Sequence, residues 1–409
     1  MATALCGEAV AADTDVKPSV SLVERYSDNV WLTTHPTSDF VTNVTPALRF
    51  SYATDRVQAV AKVALRGELY ASSSRLNAVS QFYDESLSFH LTPLIDLSAG
   101  AQYARDTTLD MELRDRSLLL TRTFRRRWSF SPAAEVRLSP CDSLSLACQY
   151  EAERFDSPNL SDYSTYSTNL GLSHMLAGGR TTLRVDAGYA VQDYTNADTK
   201  EYSAQIGLSH ALSETLTLDL SGGPRYADSR STFLVRQFFD PETEEFHTEL
   251  DLPDPHSDEW RAVVEVGPDG NLVHKRVPMT FRTSGVSWLF QGSVRKQFTL
   301  GDANLGYARQ MIASGFGQTL NQDRVTAGGR LQLTRMGSVF WNGTYSRVQP
   351  EIERPGVKAS ELYETTQGLS WTLSRHLSAS LSYSYLRKNE AGDTQIQRHQ
   401  GIFSFDAAM

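Results

Sequence analysis

The feature that most constrains this chain is a six-residue phrase that occurs three times. Its copies begin at Gly171, Gly207 and Gly368 and share the pattern Gly-Leu-Ser-X-X-Leu. Each copy ends a stretch of alternating apolar and polar residues and is followed, after a tight turn, by a second such stretch. Alternation with a period of two is typical of β-strands with one apolar face. The repeating unit is therefore a β-hairpin, and many long hairpins without helices favour a closed antiparallel barrel.

Short turns and longer polar connections alternate along the whole sequence and predict the number of strands. Short turns lie near 53–55, 92–94, 139–142, 177–179, 213–214, 300–302, 335–337 and 374–376. Longer loops lie near 27–39, 71–80, 107–120, 156–162, 195–200, 227–280, 314–321, 349–359 and 388–394. These connections separate about 18 strands, with 16 as the alternative. We expect an all-β, up-and-down transmembrane barrel of the outer-membrane type, with short periplasmic turns and long outer loops.

The composition fits such a barrel. Hydrophobic residues make up 40% of the chain and the mean hydropathy is −0.36, as expected where lumen, loops and turns are polar. No run of 18 apolar residues is present, which excludes a helical membrane span. The net charge of −9 comes without a basic stripe, which argues against nucleic acid as a partner. A soluble β-sandwich is the alternative, but a sandwich of this size would divide into domains of about 100 residues.

The sequence predicts one barrel domain, residues 13–409, after a short N-terminal segment. Residues 1–12 contain Ala9-Val10-Ala11, an A-x-A cleavage pattern, and are interpreted as the remnant of a secretory signal peptide. One long outer loop is predicted at 227–280, with nine carboxylates and no Lys or Arg between Asp240 and Glu259. Carboxylates suit divalent cations, but the spacing of a calcium loop is missing, so a solvated loop or a constriction is favoured.

The strand faces opposite the apolar residues carry charges of both signs among many Ser, Thr, Gly and Gln. A barrel of 18 strands is wide enough for a water-filled lumen, so these charges are predicted to line it. The candidates are Arg49, Lys62, Arg66, Asp96, Arg137, Glu151, Arg184, Asp186, Asp219, Arg295 and Arg330.

The strongest basic cluster consists of Arg122, Arg125, Arg126 and Arg127, beside Trp128. At the outer rim these guanidinium groups would meet the phosphates of lipopolysaccharide or an anionic polymer. In the lumen they would favour anions. Contact with lipid headgroups at the rim is the preferred interpretation.

No pattern indicates catalysis, a cofactor or a metal. A Ser/His/Asp constellation, a phosphate-binding glycine loop, a haem-attachment motif and zinc spacing are absent from the sequence. His174 and His210 occupy the position that Trp371 holds in the third phrase, so they are predicted to pack at the membrane interface. Cys141 and Cys148 lie about 23 Å apart in an extended chain, beyond disulfide reach. We therefore expect no enzyme and no cofactor.

Several segments resemble the beta-barrel porin 2 type of outer-membrane protein. The segments are Tyr26-Ser27-Asp28-Asn29-Val30, Ser38-Asp39-Phe40, Thr45-Pro46-Ala47-Leu48, Asp142-Ser143-Leu144-Ser145-Leu146 and the three repeated phrases. The resemblance implies a barrel in the outer membrane of a Gram-negative bacterium, associated with exopolysaccharide production or export. The chain departs from outer-membrane strands by ending on residues 406–409 and not on a terminal aromatic residue.

Three functions are open at this point. The first is a porin-like conduit for a hydrophilic solute or polymer, with exopolysaccharide export as its specific form and periplasmic export proteins as partners. The second is a structural barrel that sheathes a partner protein, such as a multihaem cytochrome of an electron conduit. The third is a surface adhesin or receptor that binds through the 227–280 loop. The sequence does not indicate an oligomeric state.

Overall fold

The computed structural model describes residues 12–109, 122–176, 178–239, 246–248, 261–262, 264–266, 272–274, 276–314, 318–350, 359–390 and 394–408. In these ranges the chain forms 22 β-strands and one 3-10 helix, Ser74–Leu76. No helix in the same ranges is long and apolar enough to cross a membrane.

Eighteen of the strands are long and four are short. The long strands are β1 (Asp13–Ser27), β2 (Asp39–Ala53), β3 (Val57–Tyr70), β4 (Ala78–Thr92), β5 (Ile95–Thr107), β6 (Phe124–Arg137), β7 (Asp142–Phe155), β8 (Tyr163–Met175), β9 (Thr181–Tyr194), β10 (Ala197–Ser213), β11 (Leu216–Phe239), β16 (Arg276–Phe298), β17 (Gly301–Ser314), β18 (Gln318–Gln332), β19 (Gly337–Pro350), β20 (Ser360–Thr372), β21 (Leu377–Glu390) and β22 (Thr394–Ala408). The short strands are β12 (Phe246–Thr248), β13 (Arg261–Ala262), β14 (Val264–Val266) and β15 (Leu272–His274).

The long strands close into a barrel. Each pairs antiparallel with the next long strand along the chain, including β11 with β16. β22 returns to pair with β1, from Ser19 opposite Ala408 to Ser27 opposite Gln400. The described chain is thus a closed, up-and-down barrel of 18 antiparallel strands, which confirms the higher of the two strand numbers expected from the sequence. β12 and β13 pair with the end of β11, and β14 with β15.

Two connections differ from the sequence prediction. A longer loop is predicted at 195–200, but residues 195–196 alone join β9 to β10, and Ala197 pairs with Tyr194. The interruption predicted at 227–280 is shorter, because β11 continues to Phe239 and β16 begins at Arg276. Apolar and polar residues do not alternate regularly at these strand ends, so the period of two gives no signal there. The nine carboxylates of 240–259 and residues 1–11 lie outside the described residues.

The tight turns are specified by hydroxyl side chains at equivalent positions. Thr54, Ser139 and Thr334 each accept a hydrogen bond at the side-chain oxygen from a backbone N–H three residues later, at 2.9, 3.0 and 2.8 Å. Ser and Thr favour turns because the hydroxyl replaces a missing backbone partner. In the turn between β8 and β9, Gly178 and Gly179 instead adopt φ of +96° and +67°, a conformation that L side chains rarely take. Local chemistry therefore fixes where these hairpins reverse.

The outside of the barrel carries two rings of apolar side chains. Toward the loop end, aromatic rings on adjacent strands lie 4.7 to 6.4 Å apart in the groups Tyr83–Tyr103–Trp128, Tyr150–Tyr166, Tyr189–Tyr202–Tyr226 and Tyr345–Tyr363. We call these residues the aromatic girdle. At the turn end, exposed leucines form the leucine ring, Leu138, Leu176, Leu212 and Leu373.

Ten residues separate the girdle from the leucine ring on the strands that carry a member of both. Leu138 follows Trp128 by ten residues, as Leu176 follows Tyr166 and Leu212 follows Tyr202. Ten residues span about 33 Å along a strand, or about 25 Å along the barrel axis at a tilt of about 40°. The apolar band of a transmembrane barrel is about 25 Å tall. The outer surface therefore matches the hydrocarbon layer of a bilayer.

Candidate functional site

The inner surface is open and polar at the turn end. A cavity of about 650 Å³ lies there against β8–β11 and β16. Eight of its fourteen lining residues carry a hydroxyl or an amide and three carry a charge: Asn169, Ser173, Thr182, Gln205, Ser209, Ser221, Gln291 and Ser293, with Arg184, Asp186 and Asp219. A second cavity of about 480 Å³ shares Ser173 and Arg184 with the first. We call this connected polar space the vestibule.

Serine hydroxyls on the inner face are linked to each other across neighbouring strands. The Oγ atoms lie 2.7 Å apart in the pairs Ser143–Ser173, Ser338–Ser370 and Ser380–Ser404. Cross-strand Ser and Thr pairs are a normal stabilising contact on a sheet face. A hydroxyl that both donates and accepts can also exchange its partner for a ligand hydroxyl. The inner wall therefore offers neutral hydrogen-bonding groups on both sides of the barrel.

The carboxylates of the larger cavity are held against the wall. Asp186 accepts a 2.7 Å hydrogen bond from Nε of Arg184, and Asp219 accepts one of 2.6 Å from the Ser209 hydroxyl. Gly171 makes room for the first pair, because a Cβ there would lie 2.6 Å from the Asp186 carboxylate and 3.1 Å from the Arg184 guanidinium. The charges thus line the cavity without filling it.

A second charged group lies nearer the turn end. Asp96 contacts Nδ1 of His90 at 2.5 Å and accepts a 3.0 Å hydrogen bond from Arg137. His90, Asp96 and Glu135 line the 480 Å³ cavity. The group mixes both signs, as the larger cavity does, so the vestibule carries no strong single charge that would exclude one ion type.

All eleven residues predicted to line the lumen lie on the inner face of their strands, opposite the exposed apolar side chains. Those that line cavities are Lys62, Asp96, Arg184, Asp186 and Asp219. Arg137 joins them through Asp96. The others lie elsewhere on the inner wall. Arg66 lies over the ring of Phe82, and Arg330 is paired opposite Asp302. In the strand register, Arg49 lies between Lys17 and Lys62, Glu151 between Ser129 and Thr165, and Arg295 between Thr217 and Asn304.

The loop end of the lumen is closed in part by the connection between β1 and β2. Leu32 from this connection and Leu109, just after β5, are buried against Leu362, Leu386 and Ile396 on the inner wall of β20–β22. Leu32 is held at φ +52°, the one positive φ among the described non-glycine residues, which costs about 1 to 2 kcal/mol. The packing that surrounds Leu32 must offset this strain.

Asn29 fastens the same connection to the wall. Its side-chain amide donates to the backbone carbonyls of Thr33 at 2.8 Å and Gln397 at 3.0 Å, and its Oδ1 accepts from the Thr33 N–H at 3.2 Å. Asn29 is 1% exposed. The first connection is therefore an ordered part of the closure.

The hairpin of β17 and β18 closes another part of the loop end. Its described end residues, 310–314 and 318–322, are called the tip. Thr319 of the tip donates a 2.9 Å hydrogen bond to Gln192 on β9, and Asn321 accepts one of 3.2 Å from Arg225 on β11. Ala313 packs in a cluster with Phe155, Tyr163 and Tyr194 from β7–β9. The tip therefore bends into the lumen and rests on the inner wall of β7–β11, on one side of the barrel.

The sequence gives no indication of these closing residues. Gln192, Thr319 and Asn321 are single polar residues near strand ends, and no motif or spacing connects them. Their contacts exist only because the closed barrel brings strands together that are distant in sequence.

The basic cluster predicted at the rim does not act as one unit. Arg125 is fully buried on the inner face and bonds Asp106 at 2.7 Å, with Glu153 at 3.6 Å. Arg127 is also inward, 3.8 Å from Glu153. Arg126 lies on the outer surface, paired with Asp156 at 2.9 Å.

The remaining member, Arg122, donates to the Leu76 carbonyl and lies over the ring of Tyr70, 5.7 Å from its centroid. The period of two explains the division, because consecutive residues of β6 face opposite sides. The predicted rim position therefore describes Arg126 and not the two inward arginines.

The two histidines of the repeated phrase lie on the outer face. His174 contacts Asp142 at 2.7 Å and His210 contacts the Thr181 hydroxyl at 2.8 Å. Trp371, which replaces them in the third phrase, is also exposed on the outer side. Each of the three lies two residues before a member of the leucine ring, at the edge of the apolar band nearer the turns. Cys141 and Cys148 are free thiols.

The closed barrel with a lipid-matched outer band is an outer-membrane-type β-barrel. No protein-family model and no curated protein matches the chain. Among solved structures, the chain is similar to the outer membrane protein opdK from Pseudomonas aeruginosa, with 11% identity over 97% of this chain and 99% of that one and a TM-score of 0.45.

Two other solved structures show similarity of the same order. OccK2 (OpdF) from Pseudomonas aeruginosa is 8% identical over 97% of this chain and 98% of that one, with a TM-score of 0.46. The ferric-catecholate import receptor Fiu from E. coli K12 is 8% identical over 97% and 82%, with a TM-score of 0.48. These values are too low to transfer a solute or a function to this chain.

Proposed function

We propose that the chain is a conduit in the outer membrane of a Gram-negative bacterium that lets a hydrophilic solute or polymer cross. The observation that carries this proposal is the vestibule, a polar space inside a barrel whose outer band fits a bilayer. Water and solute enter such a lumen without leaving a hydrogen-bonding environment, whereas the hydrocarbon outside offers none.

The chemistry of the vestibule favours an uncharged, hydroxyl-rich cargo. The lining of the larger cavity consists mainly of hydroxyls and amides, and its Arg184 and Asp186 are paired with each other on the wall. Such groups form neutral hydrogen bonds with sugar hydroxyls. They can form the same bonds with each successive sugar unit of a chain. Carbohydrate chains, and exopolysaccharide export among their routes, are therefore the specific form of the proposal.

The surroundings of the barrel follow from the same placement. Exposed ion pairs such as Arg126–Asp156 and Arg154–Asp162 lie beyond the aromatic girdle on the outer surface. Guanidinium groups at that height would meet the phosphates of lipopolysaccharide. Export through the barrel would further require periplasmic proteins that deliver the polymer to the open turn end.

Planar-bilayer recording of the purified full chain tests the conduit. We expect ion conductance with weak selectivity, and its transient block by neutral oligosaccharides added on the turn side. Replacing Asp186 and Asp219 by Asn should shift the reversal potential in a KCl gradient toward anions, because two cavity carboxylates are lost. Asp228→Asn on the outer surface is the matched control and should leave the potential unchanged.

Two results would contradict the conduit. One is a barrel that conducts no ions in any state of its loop end and co-purifies with a haem protein, which would favour a structural barrel around a partner protein. The other is a chain that is folded and monodisperse in buffer without detergent, since the exposed apolar band could not then face hydrocarbon.

A further inference from the structure

The barrel wall divides at one seam. β16 and β17 pair from Phe298 opposite Gly301 to Phe290 opposite Arg309, and the described ladder ends there. β16 extends from that point to Arg276, paired on its other side with β11. β17 also continues, to Ser314, and among the described residues this part of it pairs with β18 alone. Above Phe290 the two strands therefore separate.

The tip changes sides at the seam. Odd-numbered residues of β17 and β18 face lipid lower in the wall, where Leu305 is 54% exposed. In the tip the same face turns toward the inner wall of β7–β11, where Ala313 joins the cluster of Tyr163 and Thr319 bonds Gln192. The lipid side of the hairpin has thus become a lumen contact.

The edge of β16 that the tip leaves behind is unusually exposed. Val286 is 70% exposed and Trp288 66%, against 36% for Trp128 in the aromatic girdle. Trp288 lies ten residues from Phe298 at the turn end, so it has the height of the girdle. Within the described residues no strand pairs with this edge of β16 above Phe290. A strand edge without a ladder and with two exposed apolar side chains is a ready partner for another strand.

The register already present between β16 and β17 shows which strand fits. Extended without a shift, it would place Met311 opposite Trp288, Ile312 opposite Ser287 and Ala313 opposite Val286. Met311 and Ala313 would then face outward beside the two exposed apolar residues. The tip therefore keeps the alternation of a wall strand although it lies in the lumen.

We propose that the β17–β18 tip is a gate with two positions, one in the lumen against β9–β11 as observed and one in the wall, paired with the edge of β16 that the described strands leave unpaired. The first position blocks the loop end and opens the seam, whereas the second clears that part of the lumen and completes the ladder. Each position supplies partners that the other lacks, which is the condition for a two-state element. The gate rests on the proposed conduit, because it controls passage through the same lumen.

Disulfide trapping tests the two positions. In full-length protein with Cys6, Cys141 and Cys148 replaced by Ser, the pair Gln192→Cys/Thr319→Cys captures the tip in the lumen, against β9. The pair Ser287→Cys/Ile312→Cys captures the wall position, in which both side chains face the aqueous lumen. The pair Gln291→Cys/Ala308→Cys is the matched control, because these residues already face each other in the ladder.

We expect all three pairs to cross-link in membranes under oxidation. Conductance should fall several-fold when the lumen position is locked and rise several-fold when the wall position is locked, with reversal by reductant. Absence of the 287–312 cross-link while the 291–308 cross-link forms would overturn the gate, as would equal conductance in the two locked states. If the 192–319 variant fails to fold, Asn321→Ala replaces it as the test. This substitution removes the contact of the tip with Arg225 and is expected to raise conductance.

Failure of the conduit has a different signature. If the 287–312 and 192–319 cross-links both form but no state conducts, the tip moves and the proposed function is wrong. If the barrel conducts and the 287–312 pair stays reduced, the conduit stands and the gate is wrong.

Discussion

Thr319 donates a 2.9 Å hydrogen bond to Oε1 of Gln192, although the two residues lie 127 positions apart in sequence and five strands apart around the barrel. Tyr194 donates to the same oxygen at 3.1 Å. One amide of the wall thus holds a residue from a strand five places away around the barrel. The width of the loop end is therefore set by contacts of this kind as well as by the number of strands.

The first prediction concerns this contact. Thr319→Val keeps the shape of the side chain and removes the donor, so it should weaken the closure by about 1 kcal/mol and increase the fraction of time spent in conducting states in single-channel records. Gln149→Ala, an exposed inward residue on β7, is the control and should leave the records unchanged. Identical open fractions for Thr319→Val and the parent protein would show that this hydrogen bond does not hold the tip.

The second prediction separates two neighbouring arginines. Arg125→Met removes the buried cation between Asp106 and Glu153, and breaking such a buried cluster costs about 3 to 5 kcal/mol. Arg126→Met removes a pair whose side chains are 48% and 41% exposed, and surface pairs contribute about 0 to 1 kcal/mol. Samples are heated to increasing temperatures and run on a gel, and the temperature at which half of the folded band is lost measures the stability of each variant. Equal midpoints for the two variants would contradict the inward position of Arg125.

The third prediction concerns Gly171. The Cβ of Gly171→Ala would meet the Asp186 carboxylate and the Ser145 hydroxyl, at 2.6 and 2.7 Å. Both are ends of movable side chains, so the barrel should fold while the Arg184–Asp186 pair moves into the vestibule and lowers its conductance. Gly401→Ala adds a Cβ that meets nothing within 4 Å and is the control. A conductance equal to that of Gly401→Ala would contradict this placement.

The fourth prediction tests what surrounds the barrel. Ile206 is 69% exposed, between Tyr202 of the girdle and Leu212 of the leucine ring. If Ile206 faced water, Ile206→Arg would leave the free energy of unfolding nearly unchanged. If it faces hydrocarbon, the substitution should lower that free energy by about 2 to 4 kcal/mol. Gln205→Arg adds the same charge to the inner face and should be tolerated. Unfolding in lipid vesicles with denaturant measures both, and equal stabilities would exclude a lipid-facing Ile206.

The sequence predicts the architecture because strands and turns are specified by local, periodic patterns of residues. Alternation identifies strand faces, and turn residues such as Ser139 and Thr334 mark where strands reverse. The same periodicity divides Arg125, Arg126 and Arg127 between two faces, although their adjacent charges make them look like one group. Strand ends beyond the apolar band, as in β11 after Ala227, lack the alternation, so the sequence predicts a loop there.

The closure of the lumen is beyond such reasoning. Leu109 joins the cluster of Leu362 because the barrel closes between β1 and β22, and Thr319 bonds Gln192 because the curved wall brings β18 near β9. No property of these residues in the linear sequence differs from that of their neighbours. Contacts across a lumen are set by the diameter and register of the whole sheet.

The ten-residue interval between Trp128 and Leu138 is repeated on β8, β10 and β20. On these four strands the apolar belt has one width, so tilting the barrel would not improve its fit to a bilayer. Bilayers that differ from this width would have to deform around the protein at a cost that grows with each ångström of mismatch. The belt therefore fits a hydrocarbon layer of about 25 Å better than a thicker one.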